Sequence, residues 1–485
     1  MKLSELLYDI EVLESTADGD LEISDIAYDS RAVEPGMVFV AVEGYVTDGH
    51  KYIGGAVKNG AVAVVCQRKP EEAVPYVLVE DSRLALAKIS AAYFGQPAKS
   101  LKIVGVTGTN GKTTITHLVK DIIEKVTGEK SGLIGTNENI AGDKVYEAER
   151  TTPESYDLHK LLREMADSGC KYAVMEVSSH ALITGRVEGL RFEVGVFTNL
   201  TQDHLDFHNT MDEYRDAKAR LFDVSNTAVI NFDDPVGSYM KDYAKCPVVT
   251  YSAKNDEADL VARDIKLRQA RVDFCAVEVG KIQRIELHIP GLFSVYNALA
   301  AIACCEALGM TLPDIAAALK ECRGVKGRAE VVPTGTDYTV IIDYAHSPDA
   351  LKNILRTVRG FAKGRVVVVF GCGGERDKGK RPKMGRIAAE LADFVIVSSD
   401  NPRSEDPEQI IEEVVEGMKD LKTPFKKITR RPEAVRYALS HAKTDDVIVL
   451  AGKGHENYEV IGNQKIHQDE REIIAEFFAS KNKQS

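Results

Sequence analysis

The strongest chemical signature in the chain is an octapeptide of glycine, threonine, asparagine and one lysine, Thr107–Thr114. It follows a β-branched apolar run at 101–106, which is typical of a buried parallel strand, and it precedes apolar residues at helical spacing. A glycine turn between a strand and a helix N-terminus presents free N–H groups and the positive end of the helix to an anion. In this arrangement Lys112 reaches the outer phosphates of a nucleotide, and the hydroxyl of Thr113 or Thr114 is a candidate Mg²⁺ ligand.

The spacing of this octapeptide departs from the strict phosphate-loop pattern, G-x-x-x-x-G-K-[ST]. Val106 occupies the position of the first glycine, and Gly105 lies one residue too early. A plain glycine turn is the alternative, but the complete octapeptide between a strand and a helix favours a phosphate site. The predicted phosphate-binding residues are Gly108, Thr109, Asn110, Gly111, Lys112, Thr113 and Thr114.

Three further places carry groups that suit phosphate or metal chemistry. Glu176 lies near the end of an apolar run, and a carboxylate beside a phosphate loop can hold Mg²⁺ directly or through water. A structural role is the alternative, although the polar residues at 178–180 favour a site. Two histidines and two aspartates at 203–208 can bind a metal, but no partner at ligand spacing accompanies them. On residue type alone, Lys218 is predicted to be a solvated surface lysine.

Length and composition limit the class of protein to which these groups can belong. The chain has 485 residues, 44% of them hydrophobic and 28% charged, which predicts two to four globular domains. The net charge of −12 argues against a general nucleic-acid or membrane-surface binder. The eight cysteines include no C-x-x-C pair, which favours reduced core residues in a cytosolic protein. We expect neither a signal peptide nor a membrane span.

The elements that must position these groups form three α/β segments. The first, at 1–98, contains predicted strands at 36–42 and 61–65, and its Ser30 and Arg31 belong either to a capped turn or to a ligand site. The second, at 99–328, carries the octapeptide. It ends after an apolar helix in which Asn297 is either a helix-start residue or a ligand to a base, the former being favoured.

The third segment, at 329–485, has apolar strands at 365–370, 393–399 and 446–450. Each is followed by a polar loop that contains glycine or proline, and open parallel sheets bind ligands at the carboxyl ends of their strands. Three such charged loops predict a second ligand cleft, and three ordinary turns are the alternative.

Taken together, these stretches resemble the Mur ligase family over nearly the whole chain, and most closely its tripeptide-forming members. The matching motifs are Asp29–Arg31, Thr107–Thr114, Thr151–Pro153, Glu176–His180, Asn199–Asp206, Gly327–Glu330, Asp343–Asp349, the Arg376 loop, Asp400–Arg403 and Gly452–Glu456. The resemblance implies an α/β fold with an N-terminal UDP-binding domain, a central P-loop-like mononucleotide-binding ATPase domain and a C-terminal Rossmann-like domain. It also implies a monomeric cytoplasmic ligase with no nucleic-acid or membrane partner.

The activity implied by the resemblance is ATP-dependent amide formation. ATP phosphorylates the side-chain carboxylate of D-glutamate in UDP-MurNAc-L-Ala-D-Glu, and the amine of meso-diaminopimelate attacks the acyl phosphate. The cofactor is Mg²⁺, and CO₂ modifies Lys218 to N6-carboxylysine. A carbamate provides the anionic oxygen ligand that an ammonium cannot provide, so the family match overturns the surface-lysine interpretation.

Site residues carry over from the family position by position. Catalytic roles fall to Lys112, Glu176, His204 and Lys218, and metal ligation to Thr114, Glu176, His204 and Lys218. ATP is bound by the octapeptide together with Asn297, Arg328 and Asp343. The UDP-dipeptide is bound by Ser30, the 43–45 stretch, Thr151, Thr152, Ser178, Thr184 and Arg186, although family members often have glutamine in place of Thr184. The amino acid is bound by Arg376, Asp400, Asn401, Pro402, Arg403, Gly452 and Glu456.

Three alternatives remain at this point. The same ligase can use L-lysine, although the Arg403 guanidinium suits the extra carboxylate of diaminopimelate unless it only braces its loop. Folylpolyglutamate synthase, a related ligase, lacks both the 400–403 motif and the UDP-type N-terminal domain. A nucleotide-binding regulatory protein without ligase activity is excluded if phosphate release depends on both the UDP-dipeptide and an amino acid.

Overall fold

The structure is a computed structural model that describes residues 1–44, 47–201, 207–268 and 270–482. The predicted α/β fold is confirmed. The chain forms two compact units, one made of residues 1–261 and 299–315, the other of 262–298 and 316–485.

The larger unit begins with a small sheet. Its strands β1 to β5 are Val12–Ser15, Ile26–Ala27, Val38–Val40, Ala63–Cys66 and Tyr76–Val79, and its helices α1 to α3 are Leu3–Leu6, Ile53–Lys58 and Ser82–Tyr93. The strand order is β1-β5-β4-β3-β2, with only β1 antiparallel to its neighbour. Strands β3 and β4 are fully buried, because residues on both of their faces are apolar and each face packs in a hydrophobic cluster.

The larger unit continues with a mainly parallel sheet. Its strands β6 to β13 are Lys102–Thr107, Ser131–Ile134, Glu138–Ala141, Lys144–Glu147, Tyr172–Glu176, Phe192–Phe197, Ser225–Asn231 and Val248–Ser252. Its helices α4 to α8 are Lys112–Thr127, Ser155–Asp167, Ser179–Ile183, Met211–Ala219 and Gly237–Tyr243. The strand order is β13-β12-β11-β6-β10-β7-β8-β9, and β14, Leu260–Leu267, begins beside β13.

The position of β6 between β10 and β11 decides where the octapeptide lies. Both neighbours run parallel to β6, so the carboxyl ends of all three strands meet at one edge of the sheet. Gly105 allows close packing within β6, because a Cβ there would lie 2.7 Å from the ring of Phe192. Helix α4 then begins at Lys112, with Gly111 in the left-handed region at φ +91° as its N-cap.

Two tyrosine–carboxylate hydrogen bonds join the small sheet to helix α5. The Tyr28 hydroxyl donates to Asp157 at 2.5 Å, and the Tyr156 hydroxyl donates to Asp25 at 2.8 Å. The ring of Phe94 lies 5.2 Å from that of Tyr156. Each segment therefore supplies one donor and one acceptor to the same interface.

The smaller unit contains two hairpins and a six-stranded sheet. Strands β15 to β24 are Val272–Glu278, Lys281–Leu287, Glu330–Val332, Thr339–Asp343, Val366–Phe370, Phe394–Val397, Phe425–Lys427, Val447–Ala451, Tyr458–Ile461 and Gln464–His467. The sheet order is β17-β18-β22-β19-β20-β21, parallel except for β17. Helices α9 and α10, Leu292–Ala307 and Leu312–Glu321, continue across the boundary of the two units, and α11 to α15 are Pro348–Arg359, Lys380–Leu391, Pro407–Glu416, Arg431–Ser440 and Glu470–Asn482.

Two expectations from composition concern the described residues as a whole. All eight cysteines are free thiols, and Cys304 and Cys305 are fully buried on α9. Within the described ranges, no helix combines the length and apolar character needed to cross a bilayer.

Candidate functional site

The phosphate loop is held in place by the residues that follow β11. Gly108 has φ +146°, and a Cβ there would lie 1.9 Å from Thr198 Oγ1, so no larger residue fits. The Thr198 hydroxyl donates to the Asn110 carbonyl at 2.6 Å, and the Asn110 N–H donates to Asn199 Oδ1 at 2.9 Å. This support was not predicted, although Asn199 begins one of the motifs matched to the family, because Thr198 and Asn199 are distant in sequence from the loop and no local pattern links them to it.

Two lysine ammonium groups converge on one carbonyl of this loop. Lys112 Nζ donates to the carbonyls of Gly108 and Thr109 at 2.9 and 3.0 Å. Lys218 Nζ donates to the same Gly108 carbonyl at 2.9 Å and lies 4.3 Å from the ring centroid of Tyr214. Lys218 is only 1% exposed, so the surface-lysine expectation from residue type is wrong. The structure thus brings two lysine side chains to the loop that is predicted to bind phosphates.

Glu176 ends β10 with its carboxylate oriented by one threonine. Its Oε1 accepts from the Thr136 N–H at 2.8 Å, and its Oε2 accepts from the Thr136 hydroxyl at 3.1 Å. A Cβ at Gly135 would lie 2.6 Å from Glu176 Oε1, so a larger residue there would displace this carboxylate. Thr136 was not predicted, because no motif gave a signal for it.

The donors near the loop suit a hard cation. Thr114 lies in the first turn of α4 at 7% exposure and Glu176 is 1% exposed, so a hydroxyl and a carboxylate oxygen are available at this sheet edge. Oxygen ligands of this kind are those preferred by Mg²⁺. The described residues contain no group of three or more histidine, cysteine or acidic side chains able to hold a metal ion. The predicted ligand His204 lies outside the described residues.

Most residues predicted to bind the UDP-dipeptide form one hydrogen-bonded cluster. The Thr152 hydroxyl donates to the Glu176 carbonyl at 2.9 Å and accepts from the Ser178 N–H at 3.0 Å. Arg186 Nη1 donates to the Thr152 carbonyl at 3.0 Å. Thr151 Oγ1 lies 3.0 Å from the hydroxyl of Thr136, which orients Glu176.

Three other positions that were predicted to bind the UDP-dipeptide are not part of this hydrogen-bonded cluster. The Thr184 hydroxyl donates to the His180 carbonyl at 2.8 Å at the end of α6. In this arrangement, the hydroxyl can accept a hydrogen bond from a substrate but cannot donate one. Ser30 lies in a turn capped by Asp29, which accepts from the Arg31 N–H at 3.0 Å, and the predicted capped turn is confirmed. In the 43–45 stretch, Tyr45 lies outside the described residues.

Glu154 forms ion pairs with two arginines beside this cluster. It was not among the residues predicted from the sequence. Its Oε1 pairs with Arg186 Nη2 at 2.9 Å and with Arg150 Nη1 at 2.5 Å. Burial is the main cause of a lowered Arg186 pKa, and Glu154 opposes that shift. The carboxylate therefore orients the arginine that is predicted to bind substrate.

The loops after β19 and β20 in the smaller unit are bonded to each other. The Gly374 N–H donates to the Asn401 carbonyl at 2.9 Å, and Arg403 Nη1 donates to the Gly374 carbonyl at 2.7 Å. Arg403 has φ +53°, a conformation uncommon for a side chain of this size. Arg376 is exposed on the first of these loops. The structure thus brings together the two loops, with Arg403 connecting them.

The loop after β22 is bonded to the loop after β20. Asn401 Nδ2 donates to Glu456 Oε2 at 3.0 Å, and Lys453 Nζ donates to Asn401 Oδ1 at 2.7 Å. Asp400 is 7% exposed, and within the described residues its Oδ2 has no hydrogen-bond partner. Gly452 has φ +114°, and a Cβ there would lie 2.7 Å from that oxygen, so glycine leaves room for the Asp400 carboxylate.

Arg381, at the start of α12, connects the loop after β19 to the loop after β20. It was not predicted from the sequence. It is fully buried and pairs with Glu405 at 2.9 Å and with Glu413 at 2.8 Å. It also donates to the Gly373 carbonyl at 3.3 Å. Its hydrogen bonds are the main reason that the pKa of Glu405 is lowered to about 2.

The remaining residues that were predicted to bind ATP belong to the smaller unit. Helix α9 begins at Leu292, directly after Gly291 at φ +91°, so Asn297 lies in its second turn and the helix-start interpretation is wrong. The Asp343 carboxylate accepts backbone N–H groups at 2.7 and 2.9 Å, and the Arg328 guanidinium lies 4.9 Å from the Tyr344 ring centroid. Their roles toward a nucleotide stay predictions.

Comparisons with known proteins cover nearly the whole chain. Residues 22–94 match "Mur ligase family, catalytic domain", residues 106–305 match "Mur ligase middle domain", and residues 327–454 match "Mur ligase, glutamate ligase domain". A UDP-N-acetylmuramoyl-L-alanyl-D-glutamate–2,6-diaminopimelate ligase of Caldanaerobacter subterraneus subsp. tengcongensis is 48% identical over 486 residues, covering 100% of both chains.

Two more matches agree with these. The ligase of the same name from Clostridium tetani is 45% identical over 483 residues, covering 98% of this chain and 99% of the relative. A solved structure of a UDP-N-acetylmuramoyl-L-alanyl-D-glutamate–2,6-diaminopimelate ligase superposes with a TM-score of 0.74 at 31% identity, covering 99% of each chain.

Proposed function

Because this chain belongs to the Mur ligase family, whose members are ATP-dependent amide ligases, we propose that it adds meso-diaminopimelate to UDP-MurNAc-L-Ala-D-Glu. The product is the UDP-MurNAc-tripeptide of peptidoglycan precursor synthesis, formed with ADP and phosphate. The full-length relatives are named for these two substrates, which supports the choice of dipeptide and amino acid.

The reaction proceeds in two steps with little covalent work for the protein. The side-chain carboxylate of D-glutamate attacks the γ-phosphorus of ATP, releasing ADP and giving an acyl phosphate. The amine of diaminopimelate then attacks the acyl carbon, loses a proton and expels phosphate. Positioning the reactants and neutralising the phosphates are the tasks that remain, and they account for most of the catalysis in phosphoryl transfer.

The position of Lys112 in the phosphate loop carries the proposal. Its ammonium lies 2.9 Å from the Gly108 carbonyl and supplies positive charge where the ATP phosphates must be held. Lys112, at the N-terminus of α4, is assigned to the outer phosphates, and the glycine-rich backbone to close contacts with the others.

The metal assignment follows from the oxygen donors at the same sheet edge. Thr114 and Glu176 would hold Mg²⁺, together with His204 and a carbamylated Lys218. When bound, Mg²⁺ neutralises charge on the transferring phosphoryl group. The position of Lys218 supports the carbamate, because its buried side chain ends beside the Gly108 carbonyl of the phosphate loop, where a modified group would lie close to the phosphates. Supplying ¹³C-labelled bicarbonate and detecting a carbamate carbon by NMR tests this assignment.

The substrate assignment divides the chain at the boundaries expected from the sequence. We assign 1–98 to the uridine end, 99–328 to ATP and the dipeptide, and 329–485 to the amino acid. The hydrogen-bonded cluster of Thr152, Ser178 and Arg186 supports the dipeptide role. We also assign the enzyme to the cytoplasm, where ATP and UDP-linked sugars occur, as a monomer, which sizing by light scattering tests.

The amino-acid site is assigned to the three bonded loops of the smaller unit. The residues are Arg376, Asp400, Asn401, Pro402, Arg403, Gly452 and Glu456. They combine two guanidinium groups for carboxylates with two carboxylates for ammonium groups, which matches the zwitterionic ends of diaminopimelate. The hydrogen bond from Arg403 to the Gly374 carbonyl uses one guanidinium nitrogen. It is compatible with two roles for Arg403, binding a substrate carboxylate or holding the two loops together.

A single panel of phosphate-release assays tests the proposed function. The purified protein is incubated with ATP, Mg²⁺, UDP-MurNAc-L-Ala-D-Glu and meso-diaminopimelate, L-lysine or L-ornithine, and each component is omitted in turn. We expect release that requires the UDP-dipeptide and proceeds with diaminopimelate. Preference for lysine would reassign the third substrate, and release without any amino acid would reject the ligase reaction.

A further inference from the structure

Lys453 is a charged side chain for which the family assignment gives no role. It lies between Gly452 and Gly454 in the loop after β22, and it is 0% exposed. Its Nζ donates to Asn401 Oδ1 at 2.7 Å, to the Tyr458 carbonyl at 2.5 Å and to Glu456 Oε2 at 3.4 Å. Lysines are rarely buried to this degree unless they are paired, and here three oxygen atoms surround the ammonium.

The contacts of Lys453 determine which way the Asn401 amide points. Oδ1 of Asn401 accepts from Lys453 Nζ and also from the Val460 N–H at 2.9 Å. A flipped amide would place its NH₂ group against two donors, so only one orientation is compatible with these neighbours. In that orientation Nδ2 donates to Glu456 Oε2 at 3.0 Å.

The same network orients Glu456. Its Oε2 accepts from Asn401 and faces the Lys453 ammonium, while Oε1 is the oxygen that this network does not use. A carboxylate held by one oxygen presents the other in a fixed direction, as recognition of an ammonium group requires.

We propose that Lys453 is a positioning residue for the amino-acid substrate. It holds Asn401 and Glu456 in the orientation in which Glu456 Oε1 receives the ammonium of the incoming amino acid. The inference rests on the proposed function, because Asn401 and Glu456 are assigned to that pocket. It adds a residue that touches no substrate and acts only through two that do.

The test is Lys453→Met, which keeps most of the side-chain length and removes the charge and the donors. We expect the KM for meso-diaminopimelate to rise about tenfold or more, the effect of losing a charge-assisted hydrogen bond. The KM values for ATP and the UDP-dipeptide should stay within roughly twofold, because neither ligand is held by this network. Lys453→Gln, which keeps one donor, should give a smaller rise and serves if the methionine variant fails to fold.

Arg431 provides a matched control. It is also 0% exposed, pairs with Glu470 at 2.8 Å and donates to the Ala451 carbonyl just before this loop. Among the described residues, it forms no hydrogen bond or ion pair with the side chains of the assigned pocket. Arg431→Met should lower the Tm without a selective change in the KM for diaminopimelate. The same selective rise in this control, or equal rises for all three substrates in the Lys453 variants, overturns the inference.

The outcomes separate this inference from the proposed function. If the wild-type protein shows no phosphate release that depends on an amino acid, the proposed function fails before any variant is compared. If the wild-type protein ligates diaminopimelate and both Lys453 variants keep its KM, the positioning role alone is rejected.

Discussion

The phosphate loop and the three bonded loops of the smaller unit are built by opposite means. The phosphate loop is a contiguous octapeptide that contains two glycines with positive φ, and its anion-binding groups belong to one short motif that Thr198 and Asn199 brace. The three loops come from positions 371–377, 400–405 and 452–456, and side chains such as Arg381, Arg403 and Lys453 bond them together. The groups assigned to the phosphates therefore come from one short motif, whereas the groups assigned to the amino acid come from three loops that are far apart in sequence.

This difference has a consequence for substitution. In the phosphate loop, a single charge change should affect the chemistry while the backbone keeps its shape. In the three loops, the same side chains can both bind substrate and hold the loops, so a change there affects binding and stability together. The predictions below are ordered by expected effect, and each one sharpens or breaks this contrast.

The largest effect is expected for Lys112→Ala. Loss of one positive charge from a transferring phosphoryl group costs ~3 kcal/mol or more, which is over a hundredfold in rate. We expect ligation to be abolished in phosphate-release assays while the Tm stays near the wild-type value, because the lysine's bonds to the Gly108 and Thr109 carbonyls lie within one short loop.

Lys120→Ala on the same helix is the matched control for Lys112. Lys120 pairs with Glu124 at 2.7 Å, an i,i+4 contact that should contribute only about 0.3–0.5 kcal/mol. Near wild-type turnover of the Lys112 variant, or an equal loss in the control, would contradict the phosphate assignment.

Lys218→Ala should be nearly inactive, and short carboxylates such as acetate or formate should partly restore its activity. The reason is that the carbamate would supply an anionic oxygen that a small carboxylate can replace. We expect a loss of ~2–3 kcal/mol in kcat, tens to about a hundredfold. The measurement is turnover against carboxylate concentration.

Chloride at matched ionic strength is the control for the Lys218 rescue. Equal rescue by chloride would indicate a general salt effect. Full activity of the alanine variant, together with an unmodified mass of the wild-type residue under gentle native conditions, would refute the carbamate.

Arg403→Ala should weaken the use of diaminopimelate by ~1.5–3 kcal/mol, roughly ten- to a hundredfold in kcat/KM. The reason is loss of the guanidinium assigned to the distal carboxylate. The KM values for ATP and the UDP-dipeptide should change little, which steady-state kinetics with each substrate varied in turn will measure.

Arg386→Ala is the control for Arg403, since Arg386 forms an exposed i,i+4 ion pair with Glu390 at 2.9 Å on helix α12. Equal losses for all three substrates in the Arg403 variant would mean that the bond to the Gly374 carbonyl is its main role. Preference of the wild-type protein for lysine would refute the diaminopimelate assignment.

The smallest effect concerns stability and its dependence on pH. The Arg381 hydrogen bonds lower the pKa of Glu405 from 4.5 to about 2. A lowered folded-state pKa means that the pair stabilises the fold above pH 4.5, and that this contribution is lost as the pH falls through about 2. Because Glu405 is partly exposed, we expect Glu405→Gln to cost only about 1 kcal/mol at neutral pH.

Thermal unfolding from pH 7 down to about 3.5 will measure this difference, with Glu390→Gln as an exposed control. The Tm difference between Glu405→Gln and the wild type should shrink as the pH falls. A difference that is constant over this range would show that Arg381 holds the loops through Glu413 and the Gly373 carbonyl instead.

The same contrast explains what could be predicted from the sequence. The strand before the octapeptide and the strands of the three-loop region were predicted to within two residues, because apolar periodicity and glycine positions are local signals. The helix after the octapeptide was predicted from the same signals. Burial of Lys218 was not predicted from residue type, since it depends on packing against Tyr214 and the Gly108 carbonyl. Only the family resemblance pointed to it.

The supporting residues were harder to predict than the groups they support. Thr136 orients Glu176 from 40 residues away, and Glu154 orients Arg186 from the start of another helix. Neither has a spacing or a residue type that distinguishes it from ordinary polar residues. Such partners follow from tertiary contacts, so a single sequence contains no pattern that identifies them.

The two tyrosine–carboxylate bonds between the small sheet and α5 have a consequence for protein engineering. Tyr28 and Asp25 lie in the first 98 residues, while Tyr156 and Asp157 are consecutive residues of α5. A chimera that takes residues 1–98 from a relative would therefore inherit only one half of each bond. Such a graft should be compatible only when donor and recipient share both pairs, or when Tyr156 and Asp157 are transplanted together with the N-terminal segment.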